Sequence, residues 1–248
     1  MNIKLAKNTL LIAGLLSAAM GAFTSCNKSD FNYNPTTVVK PSTLFVGLTN
    51  ATIVNSVAVV PSQLVRYNSS NNNQITAASL AITGLLAGET IIAIDYRPAT
   101  KVLYGISNQS RIYTITLGTT AAAALVGTGP IVPAIAGSVA AFDFNPVADR
   151  LRVITSSGQN LRINPVDATV IADATINGVA GAVVTGAAYT NSVAGATSTV
   201  LYDLDVASQK LFRQDANAGT LTEIGSLGLN ALPFTNTTYS TIGNSSRS

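Results

Sequence analysis

Apolar residues come in short runs along this chain, cut by Asn, Asp, Gly, Thr and Pro, and the runs recur. One run is Ile92-Ala93-Ile94-Asp95-Tyr96-Arg97-Pro98. It returns as Ala140-Ala141-Phe142-Asp143-Phe144-Asn145-Pro146 and as Thr185-Gly186-Ala187-Ala188-Tyr189-Thr190-Asn191. Short runs rich in β-branched and aromatic residues between turn formers predict strands. A second strand recurs at Leu44 to Gly47, Leu103 to Ile106, Leu151 to Ile154 and Leu201 to Leu204. A third opens just after Gln63, Gln109, Gln159 and Gln209, at Leu64, Ile112, Leu161 and Leu211, in steps of 48, 49 and 50 residues. A fourth follows a further turn, as at Thr169 to Ala172 and Leu221 to Ile224.

Self-similarity at that period in a strand-rich chain predicts an all-β fold, a β-propeller. The first unit lacks its opening strand. The aromatic positions Tyr96, Phe144 and Tyr189 lie 48 and 45 residues apart, and a further step of 45 reaches an orphan opening strand at Phe234. The expectation is therefore four blades of four antiparallel strands. The C-terminal strand Phe234 to Tyr239 closes the ring beside Thr43 to Leu48, hiding two sheet edges that would otherwise invite aggregation. Residues 49–61 read as an insertion between the second and third strands of the first unit. An open or irregular β array is the other arrangement compatible with this spacing.

The N-terminus changes the cellular address. Lys4 and Lys7 precede an apolar stretch from Leu10 to Phe23, too short to span a membrane comfortably. Phe23-Thr24-Ser25-Cys26 resembles a bacterial lipobox, which implies cleavage before Cys26 and lipidation of it. Cys26 is the only cysteine, so no disulfide supports the fold. The organisation expected is a lipoprotein signal peptide over 1–25, a polar tether over 26–42 and the propeller over 43–248. The location expected is the cell envelope, outside the cytoplasm, at the outer membrane or cell surface. The formal charge of +3 falls to +1 once Lys4 and Lys7 leave with the signal. This gives no case for a nucleic-acid partner.

Phe142-Asp143-Phe144-Asn145-Pro146-Val147-Ala148-Asp149-Arg150-Leu151-Arg152-Val153 is followed by Gly158-Gln159-Asn160-Leu161-Arg162 and Asn164-Pro165. Together with Gly84-Leu85, Gly88-Glu89-Thr90 and Ile94 to Pro98, these segments resemble the bacterial family called domain of unknown function 4394. The resemblance runs from about Leu44 to Gly243. It implies a propeller-like fold and carries no established activity.

Within the repeat, one unit departs from the rest. Aligning second and third strands pairs Phe45 with Val65, Tyr104 with Tyr113 and Tyr202 with Phe212, all apolar or aromatic. The third unit pairs Arg152 with Arg162, with Asp143 beside Arg152. Two guanidiniums about 5 Å apart at an effective dielectric near 20 repel by about 3 kcal/mol, and like charges across a ladder are unfavourable. Either Asp143, with Asp149 or Asp167, neutralises the pair internally, or one arginine offers its fork to an anion. The candidate ligand-binding residues are thus Arg152, Arg162, Asp143 and Asn160.

Other chemistry is sparse. The chain has no His and no Trp, which excludes a Ser-His-Asp triad and histidine metal clusters. No metal or cofactor is expected. Asp203 and Asp205 are too few for a calcium site and read as turn caps, and Asn145-Pro146 and Asn164-Pro165 read as turns. Asp95 and Asp143 occupy equivalent positions in adjacent units, but nothing in the sequence places them at a catalytic separation. The reading is a module that binds a protein, a glycan or an anionic ligand and is held to the membrane through Cys26. A carboxylate-dependent glycan-active enzyme and a purely structural envelope protein are the alternatives.

Overall fold

The structure is a computed structural model, and it describes residues 43–54, 57–69 and 78–228. The expected signal peptide, the expected tether with Cys26, and the expected closing strand at 234–239 lie outside the described residues. Those described form an all-β body of seventeen strands in several sheets. No helix among them is long and apolar enough to cross a membrane.

The four units appear in order. The first contributes β1 (Leu44–Leu48), β4 (Gln63–Asn68) and β5 (Leu80–Thr83), with the insertion folded into a hairpin of β2 (Thr52–Val54) and β3 (Val57–Val60). The second is β6 (Ile91–Tyr96), β7 (Leu103–Ser107), β8 (Ile112–Leu117) and β9 (Ala121–Val126). The third is β10 (Val139–Asn145), β11 (Arg150–Thr155), β12 (Asn160–Ile163) and β13 (Val170–Ala172). The fourth is β14 (Gly186–Tyr189), β15 (Leu201–Asp205), β16 (Lys210–Asp215) and β17 (Thr220–Ser226). The third and fourth are separate antiparallel meanders of four strands.

The first two units are not separate. The outer strands β5 and β9 pair in parallel, Ile82 with Ala121 and Thr83 with Ala122. This fuses the two units into one seven-stranded sheet of order β1-β4-β5-β9-β8-β7-β6. Four independent blades were expected, and the added ladder departs from that. The reason is local: β5 is short and pairs with β4 at only Leu64–Leu80 and Gln63–Ala81, leaving the rest of its backbone to find partners on β9.

Each pair of successive units encloses a core. One core lies between the first two units and holds Val46, Leu64, Ile91, Ile94, Leu103 and Tyr113. A second lies between the second and third, where Tyr104, Ile106 and Ile112 meet Phe142, Phe144, Leu151 and Val153. A third joins Ala141 and Ile154 to Tyr189, Leu201, Phe212 and Leu221. Inner strands are therefore covered on both sides; all five residues of β7 are buried. Such strands lose their in-out alternation, as strands buried on both faces do.

Carboxylates stitch neighbouring first strands together. Asp95 on β6 accepts the N–H of Phe144 on β10 at 2.8 Å. Asp143 on β10 accepts the N–H of Tyr189 on β14 at 2.7 Å. The same device at successive units sets β6, β10 and β14 side by side. In the fourth unit the position is Ala188, which is exposed.

Candidate functional site

The hairpin registers place the arginines. Asp143 pairs with Arg152, Arg152 with Arg162, and Arg162 with Ile171, so one row crosses the third sheet. The expected opposition of Arg152 and Arg162 is present. The comparison with other units is corrected: Phe45 pairs with Tyr67, Tyr104 with Thr114 and Tyr202 with Arg213. By register, Ile112 (opposite Ile106) corresponds to Asn160 (opposite Ile154), one residue before the Leu161 expected. Ile112 and Tyr113 are both fully buried, so burial at the start of β8 does not tell its two faces apart, and the alignment slips by one. A slip of one exchanges the faces of a strand.

The corrected alignment makes the departure of the third unit sharper. Arg152, Asn160 and Asp173 occupy the positions that Tyr104, Ile112 and Val126 hold in the second unit. There the three belong to one apolar core. Here they form a buried polar cluster. Both versions reach into the next sheet: Tyr104 donates its hydroxyl to Pro165 O at 3.2 Å, and Arg152 Nη2 donates to Asn217 Oδ1 at 3.1 Å.

Asp173, and not Asp143, is the counter-ion. Its Oδ2 accepts Arg152 Nη1 at 2.7 Å and Arg162 Nε at 2.6 Å, while Oδ1 accepts Arg162 Nη2 at 2.8 Å. Asp173 lies one residue past the end of β13, beyond the run that strand composition marks. Arg152 is 1 % exposed, and Asn160 Oδ1 and Tyr189 Oη accept its remaining N–H groups at 2.6 and 3.2 Å. Asn160 Nδ2 donates in turn to Ala174 O and Ala216 O. Burial pushes the Asp173 carboxyl up, but bonds from Arg162 and Arg152 outweigh it and hold the group below the ordinary carboxylate range. The nearby Asp149 and Asp167 are also engaged elsewhere. Asp149 pairs with Arg97 through two bonds, one at 2.8 Å, and Asp167 caps Thr169.

Arg152 is thus sealed within the seam, whereas Arg162 is not: its side chain keeps 28 % exposure. It borders a cleft of about 100 Å³ shared with Arg150, Asn164, Thr169 and Ile171. Arg150 donates to the backbone oxygen of Asp149; it forms no direct ion pair among the described residues, although its charge helps to lower the carboxyls of Asp149 and Asp167. One carboxylate therefore serves two guanidiniums, and a third guanidinium stands beside them. The cleft retains a local positive excess with free N–H donors, the chemistry that receives a carboxylate, phosphate or sulfate.

Asp143 lies elsewhere. It and Asp95 are hydrogen-bonded to each other, a contact between equivalent residues that sequence spacing did not show. Burial, then the charge of Asp143, raises Asp95 far above the carboxylate range. Burial raises Asp143 to about 7, opposed by the Tyr189 N–H and the Asp95 bond. The pair therefore retains a proton to higher pH than isolated carboxyls would. Carboxyls in direct contact leave no room for the sugar and water that glycoside hydrolysis places between groups about 5 Å or more apart.

Of the remaining candidates, Asp205 is a turn cap, accepting N–H groups from Ala207 and Ser208. Asp203 is not: it is fully buried, and burial raises it to about 7 against the opposing charge of Arg152. Gln214 Nε2 donates to its two oxygens at 2.8 and 3.2 Å. Asn145 and Asn164 cap their turns as expected. Among the described residues no cluster of three or more His, Cys, Asp or Glu is placed to hold a metal ion.

A protein-family model, Domain of unknown function (DUF4394), matches residues 63–238. The chain belongs to the DUF4394 family. The matched span is narrower than residues 44–243, and it contains the arginine seam and the cleft. No curated protein matches the chain. Among solved structures, a structural genomics protein of unknown function from Bacteroides thetaiotaomicron VPI-5482 is 10 % identical, with a TM-score of 0.33. The match covers 74 % of this chain and 65 % of that one.

Proposed function

We propose that this DUF4394 protein is a lipid-anchored binding module of the bacterial envelope, outside the cytoplasm, and that it captures an acidic glycan. Cys26 carries the anchor and residues 27–42 hold the domain away from the membrane. The domain is a four-bladed β-propeller closed by Phe234 to Tyr239 against the open edge of β1. That edge is compatible with closure, since among the described residues β1 ends its sheet and pairs with β4 alone. The side-by-side packing of β6, β10 and β14 has the same sense.

One observation carries the reading: Arg162 gives two N–H bonds to Asp173 and still opens, with Arg150, onto a cleft. Its volume, about 100 Å³, suits one acid group. The buried Arg152–Asn160–Asp173 cluster is the support that fixes the Arg162 fork, as an outer ring of hydrogen bonds fixes a binding group. Arg152 and Asn160 are positioning residues, and Asp143 holds the neighbouring strands.

Thermal unfolding with added polymers tests this. Polygalacturonate or dextran sulfate raises the melting temperature, and neutral dextran does not. Arg150→Ala abolishes the rise while leaving the ligand-free melt unchanged. Equal effects of charged and neutral polymers, or a rise that survives Arg150→Ala, refute the assignment.

A further inference from the structure

A second, larger cleft measures about 610 Å³. It lies mainly on the fourth unit, with Asn145 of the third completing its wall. Asn145 is the register partner of Arg150, which lines the smaller cleft. That pairing puts one wall residue of each cleft on adjacent strands of the third sheet. β14 ends at this level with Tyr189, and β15 begins with Leu201 opposite Gln214.

The larger cleft differs in chemistry. Arg213 and Thr222 are among its lining residues, and neither side chain makes a hydrogen bond among the described residues. Thr199 and Thr220 add hydroxyls already oriented by Thr190 O and Asn177 Oδ1. Asp215 uses one oxygen to cap Ala218 and keeps the other. A single cation among hydroxyls, a carboxylate and an amide suits a polyhydroxylated unit. The volume exceeds what one acid group fills.

We propose that the larger cleft is a second subsite, so that the protein binds an acidic oligosaccharide across both clefts. Arg150 and Arg162 take an acid group. Thr199, Thr220, Thr222, Asn145 and Asp215 contact the hydroxyls of the adjoining sugar, and Arg213 meets a second acid group. The proposal rests on the acidic-glycan reading of the smaller cleft. It adds length dependence and a specificity-determining residue, Arg213. Carboxylate and sulfate share the chemistry, and separate arms of the test distinguish them.

The test is calorimetric titration of the full-length protein with galacturonate, tetragalacturonate, a sulfated tetrasaccharide and neutral maltotetraose. One of the two charged tetramers binds at least tenfold more tightly than galacturonate, and maltotetraose does not bind. Arg213→Ala brings that tetramer down to the affinity of the monomer and leaves the melting temperature unchanged. Thr222→Val, a near-isosteric change, weakens the tetramer alone and stands in if Arg213→Ala misfolds. Equal affinity for monomer and tetramer, or a tetramer unaffected by both variants, overturns the subsite while leaving the smaller cleft intact. No binding of any charged ligand overturns the acidic-glycan reading itself.

Discussion

Replacing Asp173 by Ala isolates the energetic role of the seam. The carboxylate side chain is 6 % exposed and bridges Arg152, at 1 %, to Arg162, at 28 %. Removing it strands a fully buried guanidinium, and breaking a buried pair at one partner costs about 3–5 kcal/mol. Arg162 reaches water, so its share of the loss is discounted to below about 1 kcal/mol. Asn160, Tyr189 and Asn217 still accept from Arg152, which favours the lower end, about 3 kcal/mol. At about 2–4 °C per kcal/mol for a domain of this size, the melting temperature falls by about 6–12 °C. The second unit supplies the control, since the same positions hold Tyr104, Ile112 and Val126 there. The triple replacement Arg152→Tyr, Asn160→Ile, Asp173→Val removes charge and counter-charge together and recovers most of the loss, as apolar replacements of buried ion clusters do. Circular dichroism melts of both proteins decide it. A drop below about 2 °C for Asp173→Ala refutes the reasoning, as does a triple variant no more stable than the single one.

Further outcomes follow from the same geometry. The carboxyls of Asp143 and Asp203 are each raised to about 7 in the folded protein, against about 3.9 unfolded. The folded state therefore holds more protons between these values, so stability falls as pH rises from about 4 to about 7, by up to about 1.4 kcal/mol per pH unit for each retained proton. Denaturant titrations across that range show the decline, and Asp143→Asn flattens part of it; a slope unchanged in Asp143→Asn contradicts the retained proton. Asp173 has the opposite sign: its lowered value gives stability that is present above about 4 and lost as pH falls through the folded value. Gly219 has φ of +67°, and a Cβ there would stand 2.5 Å from Ala174 O. Gly219→Ala therefore parts the third and fourth sheets and lowers the melting temperature by several degrees, whereas Gly195→Ala, with φ of +74° but open space around it, costs far less. Equal melts for the two contradict the close seam.

Much of the architecture was legible because turn chemistry and strand composition repeat. Leu64, Ile112, Leu161 and Leu211 all fall at or one residue into a third strand, and the opening runs at 92–98, 140–146 and 185–191 coincide, within a residue or two at each end, with β6, β10 and β14. Two things were not legible. The parallel β5–β9 ladder depends on unsatisfied backbone groups and leaves no side-chain pattern. The register of the second unit was obscured because Ile112 and Tyr113 are both buried. The site was half visible. The Arg152–Arg162 opposition follows from a short hairpin, and hairpin length sets register. Asp173 answers both arginines from beyond β13, a tertiary contact that periodicity cannot reach. Asp143, adjacent to Arg152 in the ladder, turns instead to Tyr189 and Asp95. Adjacency in a sheet fixes where a side chain starts, not which neighbour it meets.

The most direct measurement is a co-crystal structure with the charged tetrasaccharide that binds more tightly. The account predicts an acid group within hydrogen-bond distance of Arg150 and Arg162, with Arg152 still enclosed by Asp173 and Asn160. A ligand seated away from these arginines, or an Arg152 drawn out of the seam to meet it, would contradict the account.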